Sequence, residues 1–365
     1  MPGILYPPAK MRWLVFATVL TADVVDLLSV FPRPELGRVF GLFGPLLAAS
    51  SISGPVLAGF LLWLDPFGLG WRTVFGINVV IGAVLLPLSA RVLPRRAGDR
   101  SVRLDPAGAV LLIAGLAGIL GGLIQFGDGD GGGDWWPASA VAAGLVILGL
   151  FVLRQRRSPV PLLTLSLFRV RSFVAGLVLG SVFFAGVAGL LYATSLYLQF
   201  GRGLAPLPTA AVMAPASVGI IAASFSTRAF IERLGRRLVA AGLSVMGAGT
   251  LGYLAVIQLA PGAVWAVTLP LLVCGLGLGC CFGSVFAVAL GDVQPEQAGS
   301  ASGTLNAVQQ VANAVGAALI STVYLAVAAA GTAGQAVTAN LLIVLAITGL
   351  SLLTLPLLPR RAAAS

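Results

Sequence analysis

The chain has 365 residues, 58% of them hydrophobic and only 9% charged, with a formal charge of +10 and no histidine. A soluble domain carries about 25% charged residues, and a water-facing surface cannot be built from so few. The arginines form short clusters at the ends of apolar stretches, with no aromatic or basic stripe beside them. That excludes a nucleic-acid surface and points to anchoring against an anionic cytoplasmic leaflet.

A helix needs about 20 mostly apolar residues to cross a bilayer. Taken in chain order, eleven such segments are expected: roughly 11–30, 38–63, 71–93, 105–126, 136–153, 172–200, 207–230, 237–258, 264–290, 299–328 and 337–358. They lack the polar faces of buried soluble helices, and they are not the short alternating segments of a barrel. The expected fold is therefore all-α, a polytopic transmembrane helical bundle. The 47 glycines fit it, because small residues let helix backbones approach in lipid. Cys274, Cys280 and Cys281 share one apolar segment without histidine or acid beside them and read as packing residues, not a metal site. The start MPGILYPPAKMRW puts Lys10 and Arg12 before an apolar run, with no small-residue cleavage site.

Loop charge sets the direction. The loops 94–104, 154–171 and 231–236 are arginine-rich and are expected on the cytoplasmic side. The stretch 127–135 contains Asp128, Asp130 and Asp134 without a base and is expected outside, with Trp135 and Trp136 at headgroup level. The C-terminal Arg360 and Arg361 belong inside. Counting backwards makes FPRPELGR, with Arg33 and Arg38, cytoplasmic, so the first helix must enter from outside. Its own start, with Lys10 and Arg12, favours the inside. Either that helix inserts only marginally or an odd number of crossings is missing after it. The expected divisions are an incomplete N-terminal half at 1–104, a two-helix insertion at 105–153, a connector at 154–171, a complete six-helix half at 172–358 and a tail at 359–365.

Five stretches in order carry a family resemblance. They are SISGPVLAGF with Gly54, Pro55 and Gly59; GWRTVFGINVVIG with Trp71, Arg72, Phe75, Asn78 and Gly82; SPVPLLTLSLFRVRSF; ERLGRR; and EQAGSASGTLNAVQQVANAVG. Together they resemble the fourteen-helix drug:proton antiporters of the major facilitator superfamily. Ala58 stands where that family usually has glycine. MRWLVFATVLTADVVDLLS resembles the start of the family's first helix, and FPRPELGRVFG resembles the entry to its fifth. About three helices of the first half would then be absent. If 11–32 is instead the fourth helix, parity is restored but three helices are still absent.

The resemblance implies a secondary transporter in the cell membrane, multi-pass with a cytoplasmic C-terminus. Its expected activity is proton-coupled efflux of drug-like or hydrophobic compounds. The alternative is a transport-inactive, truncated or internally deleted member of the same family. The expected partners are a small-molecule substrate, protons and lipid, with no cofactor and a monomeric state. Nothing points to an enzyme: there is no nucleotide-binding loop and no paired base and nucleophile.

Several residues are candidates for transport roles. Asp23 and Asp26, three apart in an apolar segment, either relay protons or lie in water at a helix end. Gly54, Pro55 and Gly59 form either the contact between halves that the resemblance implies or a lipid-facing kink. Arg233, Arg236 and Arg237 are either a cytoplasmic gate, by resemblance, or positive-inside anchors. Asn306, Gln309, Gln310 and Asn313 form a polar stripe suited to a cavity or to bonding across helices. Tyr192, Tyr197 and Gln199 are candidates for an outer vestibule, and Asn78 and Gln125 are weaker pathway candidates.

Overall fold

The computed structural model describes residues 57–65, 68–70, 72–92, 105–127, 135–158, 165–227, 230–294 and 297–358. The expected helix 11–30 and most of 38–63 lie outside these residues. The described regular structure is helical, without strands. It comprises α1 (57–64), α2 (Arg72–Val92), α3 (Pro106–Gly127), α4 (Trp136–Arg157), α5 (Arg171–Leu196), α6 (Pro206–Thr227), α7 (Arg236–Leu259), α8 (Thr268–Leu290), α9 (Ala298–Ala330) and α10 (Ala333–Thr354). Seven of the described helical segments are long and apolar enough to cross a bilayer. The chain is an all-α, multi-pass membrane protein.

Local chemistry explains the helix ends. Proline opens α3 and α6 and lies in the first turn of α4, where its missing N–H costs nothing. Thr332 and Gln335 form a reciprocal capping box at the start of α10. A single turn, Ile231–Leu234, precedes α7, and Gly235 at φ 46° makes the break that a side chain would resist. At its far end α5 widens into a π-helical turn, Tyr197–Gly201. The 33 residues of α9 give it a length of roughly 50 Å, so it outreaches a hydrocarbon core of about 30 Å.

Helices α5 to α10 pack as one bundle. The closest pairings are α6 with α8, α7 with α8, and α5 with α9, while α10 lies against α5, α7 and α9. Glycine makes these approaches possible. A Cβ at Gly219 of α6 would come within 2.5 Å of Leu272 O, and one at Gly275 of α8 would collide with Ala216 O. Gly242 and Gly277 do the same between α7 and α8, as does Gly316 against Ala185 between α9 and α5. The space between these contacts is filled by Phe183, Phe184, Phe282 and Phe286, whose rings meet edge to face. The two ends of the bundle are distinct. Arg171, Arg236 and the start of α9 share one end, which we call the arginine end. The other, the far end, holds the 202–205, 260–263 and 331–332 connections, and there Arg202 donates to Pro261 O and Gly262 O.

The hairpin α3–α4 is tightly paired. A Cβ at Gly144 would lie 2.7 Å from Gly115 O, and one at Gly122 would lie 2.6 Å from Pro137 O. The hairpin docks on the bundle through α3 against α9. By contrast, α2 makes no extensive contact with α3 to α10, and Val79, Val80 and Val84 are well exposed.

Candidate pathway residues and the family they belong to

The sequence candidates fall in three regions. In the first, α1 lies against the start of α6 at the far end. A Cβ on Gly59, which is buried, would sit 3.2 Å from Ala210 Cβ, 3.3 Å from Pro206 O and 3.6 Å from Leu207 Cα. Glycine at this position therefore lets the first described helix touch the bundle. Gly54, Pro55, Asp23 and Asp26 lie outside the described residues. Asn78 falls within α2, with its side chain outside the described part, and Gln125 is exposed on α3.

The second region is the arginine end. Arg233 ends the single turn before Gly235, and Arg236 and Arg237 open α7. Arg233 and Arg237 are exposed and Arg236 is half-buried. Among the described residues none of the three forms an ion pair, which suits either an interfacial anchor or a contact that forms in another state. Also in this half of the bundle is the carboxamide stripe of α9. Asn306 and Gln310 are exposed, Gln309 and Asn313 are half-buried, and none of the four makes a side-chain hydrogen bond among the described residues. Carboxamides facing bare hydrocarbon are costly, so this face suits water or another helix.

The third region is the far end of α5. Tyr192 is 42% exposed and Gln199 is half-buried, donating to Ser195 Oγ at 2.7 Å. Tyr197 turns inward and is 4% exposed, within the bundle core and away from any open vestibule. Between the far ends of α7 and α10 is an open recess of about 440 Å³, bridged where Gln258 donates to Thr338 at 2.9 Å.

One polar group escaped the sequence reading. Asp105, 5% exposed, lies just before α3 and accepts from the Gly108 N–H at 2.9 Å. It also accepts a forked pair of bonds from Arg154 of α4, at 2.7 Å from Nη2 and 3.0 Å from Nε, with Gln155 adding a longer one at 3.4 Å. The hydrogen bonds from Arg154 and then from the Gly108 N–H hold the Asp105 carboxyl below its ordinary value of 3.8. The available signal was an acid directly before a helix-opening proline, opposite an arginine 49 residues away.

A bundle of antiparallel apolar helices with glycine-tight contacts, a carboxamide-bearing helix and arginine turns at one end defines a polytopic membrane protein. The profile described as Major Facilitator Superfamily matches residues 27–317, and the chain belongs to that family. It is 37% identical over 306 residues to a probable actinorhodin transporter of Streptomyces coelicolor, covering 81% of this chain and 52% of that protein. It is 28% identical to the multidrug resistance protein Stp of Mycobacterium tuberculosis, over 84% of this chain and 56% of the relative. It is 27% identical to a tetracenomycin C resistance and export protein of Streptomyces glaucescens, over 84% and 56%. The chain thus spans about half the length of these curated relatives.

Proposed function

We propose that the chain works in secondary active export of drug-like or antibiotic-like compounds, driven by protons. The observation that carries this reading is the family membership together with relatives whose names describe resistance and export. The inactive alternative has less support, because those relatives are named as transporters or resistance proteins. In this reading the protein lies in the cell membrane as a monomer with its C-terminus in the cytoplasm. Residues 172–358 form the complete half, 1–104 belong to the other half, and 105–153 are an insertion between them. Asp26, helped by Asp23, carries the proton. Gly54, Pro55 and Gly59 belong to the contact between halves, with Gly59 against α6, and the α9 stripe faces the substrate path. Arg233, Arg236 and Arg237 close or anchor the cytoplasmic face.

The test is dye and antibiotic efflux from cells, with and without a protonophore. Two proteins are compared: this chain, and this chain extended at its N-terminus with the additional helices of the actinorhodin-transporter relative. Efflux that the protonophore abolishes, in either protein, is the expected result, and Asp26→Asn should remove it while leaving the protein in the membrane. Absence of efflux from both, or efflux indifferent to the protonophore, would refute the reading.

A further inference from the structure

The far end of the bundle has a concave feature that the transport reading does not use. The recess of about 440 Å³ between α7 and α10 falls within the range of small-molecule pockets, about 300–1,000 Å³. Its lining changes from polar to apolar along the helices. The mouth is formed by Pro261 of the 260–263 turn, with Thr332 and Gln335 at the start of α10. Midway, Gln258 Nε2 donates to Thr338 Oγ1 at 2.9 Å, which leaves the Thr338 O–H as a donor and Gln258 Oε1 as an acceptor. The floor is formed by Ala339 and Leu342, the latter 52% exposed. About 15 Å of helical rise separates Thr332 from Leu342. Arg202 flanks the mouth. Between residues 172 and 358 every other charged side chain falls in 228–237 or 292–296, at the arginine end. The exposed guanidinium of Arg202 is fastened to the mouth by its bonds to Pro261 O at 3.1 Å and Gly262 O at 3.4 Å, with further N–H donors left over. Trp265 is well exposed in the next turn, where an amphipathic ring suits the headgroup level.

A bilayer presents the same order of chemistry over the same distance. Its polar layers are roughly 5–8 Å deep on each side of the hydrocarbon, so a recess about 15 Å long runs from the headgroups into the chains. A guanidinium at the mouth matches a phosphate, to which it can donate charge-assisted bonds. The hydroxyl of Thr338 matches an ester carbonyl, and the apolar floor matches a hydrocarbon chain. A soluble anion would leave the floor unused, and a plain hydrocarbon would leave the arginine unused. The lining contains no carboxylate that could receive an ammonium headgroup, so a net negative lipid is favoured over a zwitterionic one. We propose that the recess binds a glycerophospholipid with an anionic headgroup, its phosphate on Arg202, its ester groups at Gln258 and Thr338, and one acyl chain along Ala339 and Leu342. The site is independent of the transport reading, since it needs only the bundle in a membrane. The bound lipid joins the turn after α5 to α7 and α10, three elements that otherwise meet at the far end through few polar bonds.

Lipid-dependent melting tests the site. The full chain is delipidated in an uncharged detergent and titrated with phosphatidylglycerol, phosphatidylcholine or inorganic phosphate. Phosphatidylglycerol should raise the melting temperature by roughly 4–8 °C at about a hundredfold excess over its dissociation constant. Phosphatidylcholine should give at most half of that, and inorganic phosphate none. Equal shifts from the two lipids, or a shift from phosphate alone, would overturn the site. Arg202→Gln removes the charge and Ala339→Phe fills the floor. The readout is the lipid-induced shift of each variant, so a lower starting temperature does not disturb it. Both variants should lose most of the phosphatidylglycerol shift, and native mass spectrometry should show one retained lipid on the wild type and none on either variant. A full shift in Arg202→Gln would assign binding to the arginines of the opposite end and overturn the proposal. A full shift in Ala339→Phe would mean a phosphate on Arg202 with no chain in the recess, and would overturn it too.

Discussion

At the scale of single residues, the decisive contacts are short and local. Asp105 caps α3 and clamps Arg154 of α4, so one carboxylate fixes both the start of a helix and the pairing of a hairpin. Asp105→Asn keeps the shape but removes the charge and should loosen the α3–α4 pair at neutral pH. The sign of the pH dependence follows from its lowered pKa. A carboxyl depressed on folding stabilises above its unfolded value and loses that contribution as pH falls through the folded one. The melting difference between wild type and Asp105→Asn should therefore be constant above about pH 5, start to shrink near the ordinary value of 3.8 and vanish only below the lowered folded value. A difference that grows in acid would contradict the clamp. Gly59 gives a second local prediction. Its Cβ position lies 3.2 Å from Ala210 Cβ, close to the separation a disulfide spans. G59C with A210C, in a chain whose three native cysteines are alanine, should crosslink under mild oxidation. Failure to crosslink would detach α1 from α6.

At the scale of elements, helix pairs are set by where glycine permits backbone contact. Gly275 and Gly279 of α8 face Ala216 and Ile220 of α6, and Gly219 answers from the other side. Gly275→Val forces the pair apart and should cost about 1–3 kcal/mol by overpacking, whereas valine at the open Gly349 should be nearly neutral. Thermal melting of the two variants separates these cases, and equal melts would mean that the α6–α8 contact is not tight. Apolar length made these helices legible in the sequence. The segments read as 105–126, 207–230, 237–258 and 264–290 correspond to Pro106–Gly127, Pro206–Thr227, Arg236–Leu259 and Val264–Leu290. Local backbone choices were not legible. The π-helical turn after α5 has no marker in YLQFG, and Tyr197, read from the sequence as an outer-vestibule candidate, lies inward because it continues the buried face of Leu190, Ala193 and Thr194. The Asp105–Arg154 clamp was hidden for another reason: its partners are 49 residues apart, and sequence spacing carries no information about which arginine of a cluster turns back.

At the scale of the whole molecule, cohesion is uneven. The hydrophobic clusters described here draw their buried members from residues 167–358, and the rings of four phenylalanines sit at their centre. Among the described residues before 165 the buried apolar side chains are chiefly Ile119 and Phe151 in the α3–α4 hairpin. The helix α2 exposes Val79, Val80 and Val84. Charge and parity in the sequence already set the first part of the chain apart from the second; which faces pack could come only from side chains meeting in space. Among the described residues, those from 165 to 358 hold most of the buried apolar contacts. Expressed alone with a start methionine, this portion should insert and melt within about 5 °C of the full chain, since the described helices before it meet the bundle at its edge, α1 through Gly59 against α6 and α3 against α9. The chain supplies its own probe. Cys274 and Cys281 are fully buried and Cys280 partly so, all on α8 in the middle of the bundle, so a thiol-reactive fluorophore reports when that bundle opens. Coincident dye transitions for the two proteins are the expected result. A transition in the shorter protein that falls by 15 °C or more, or dye uptake without heating, would show that the bundle depends on the helices before it and that stability is shared across the chain.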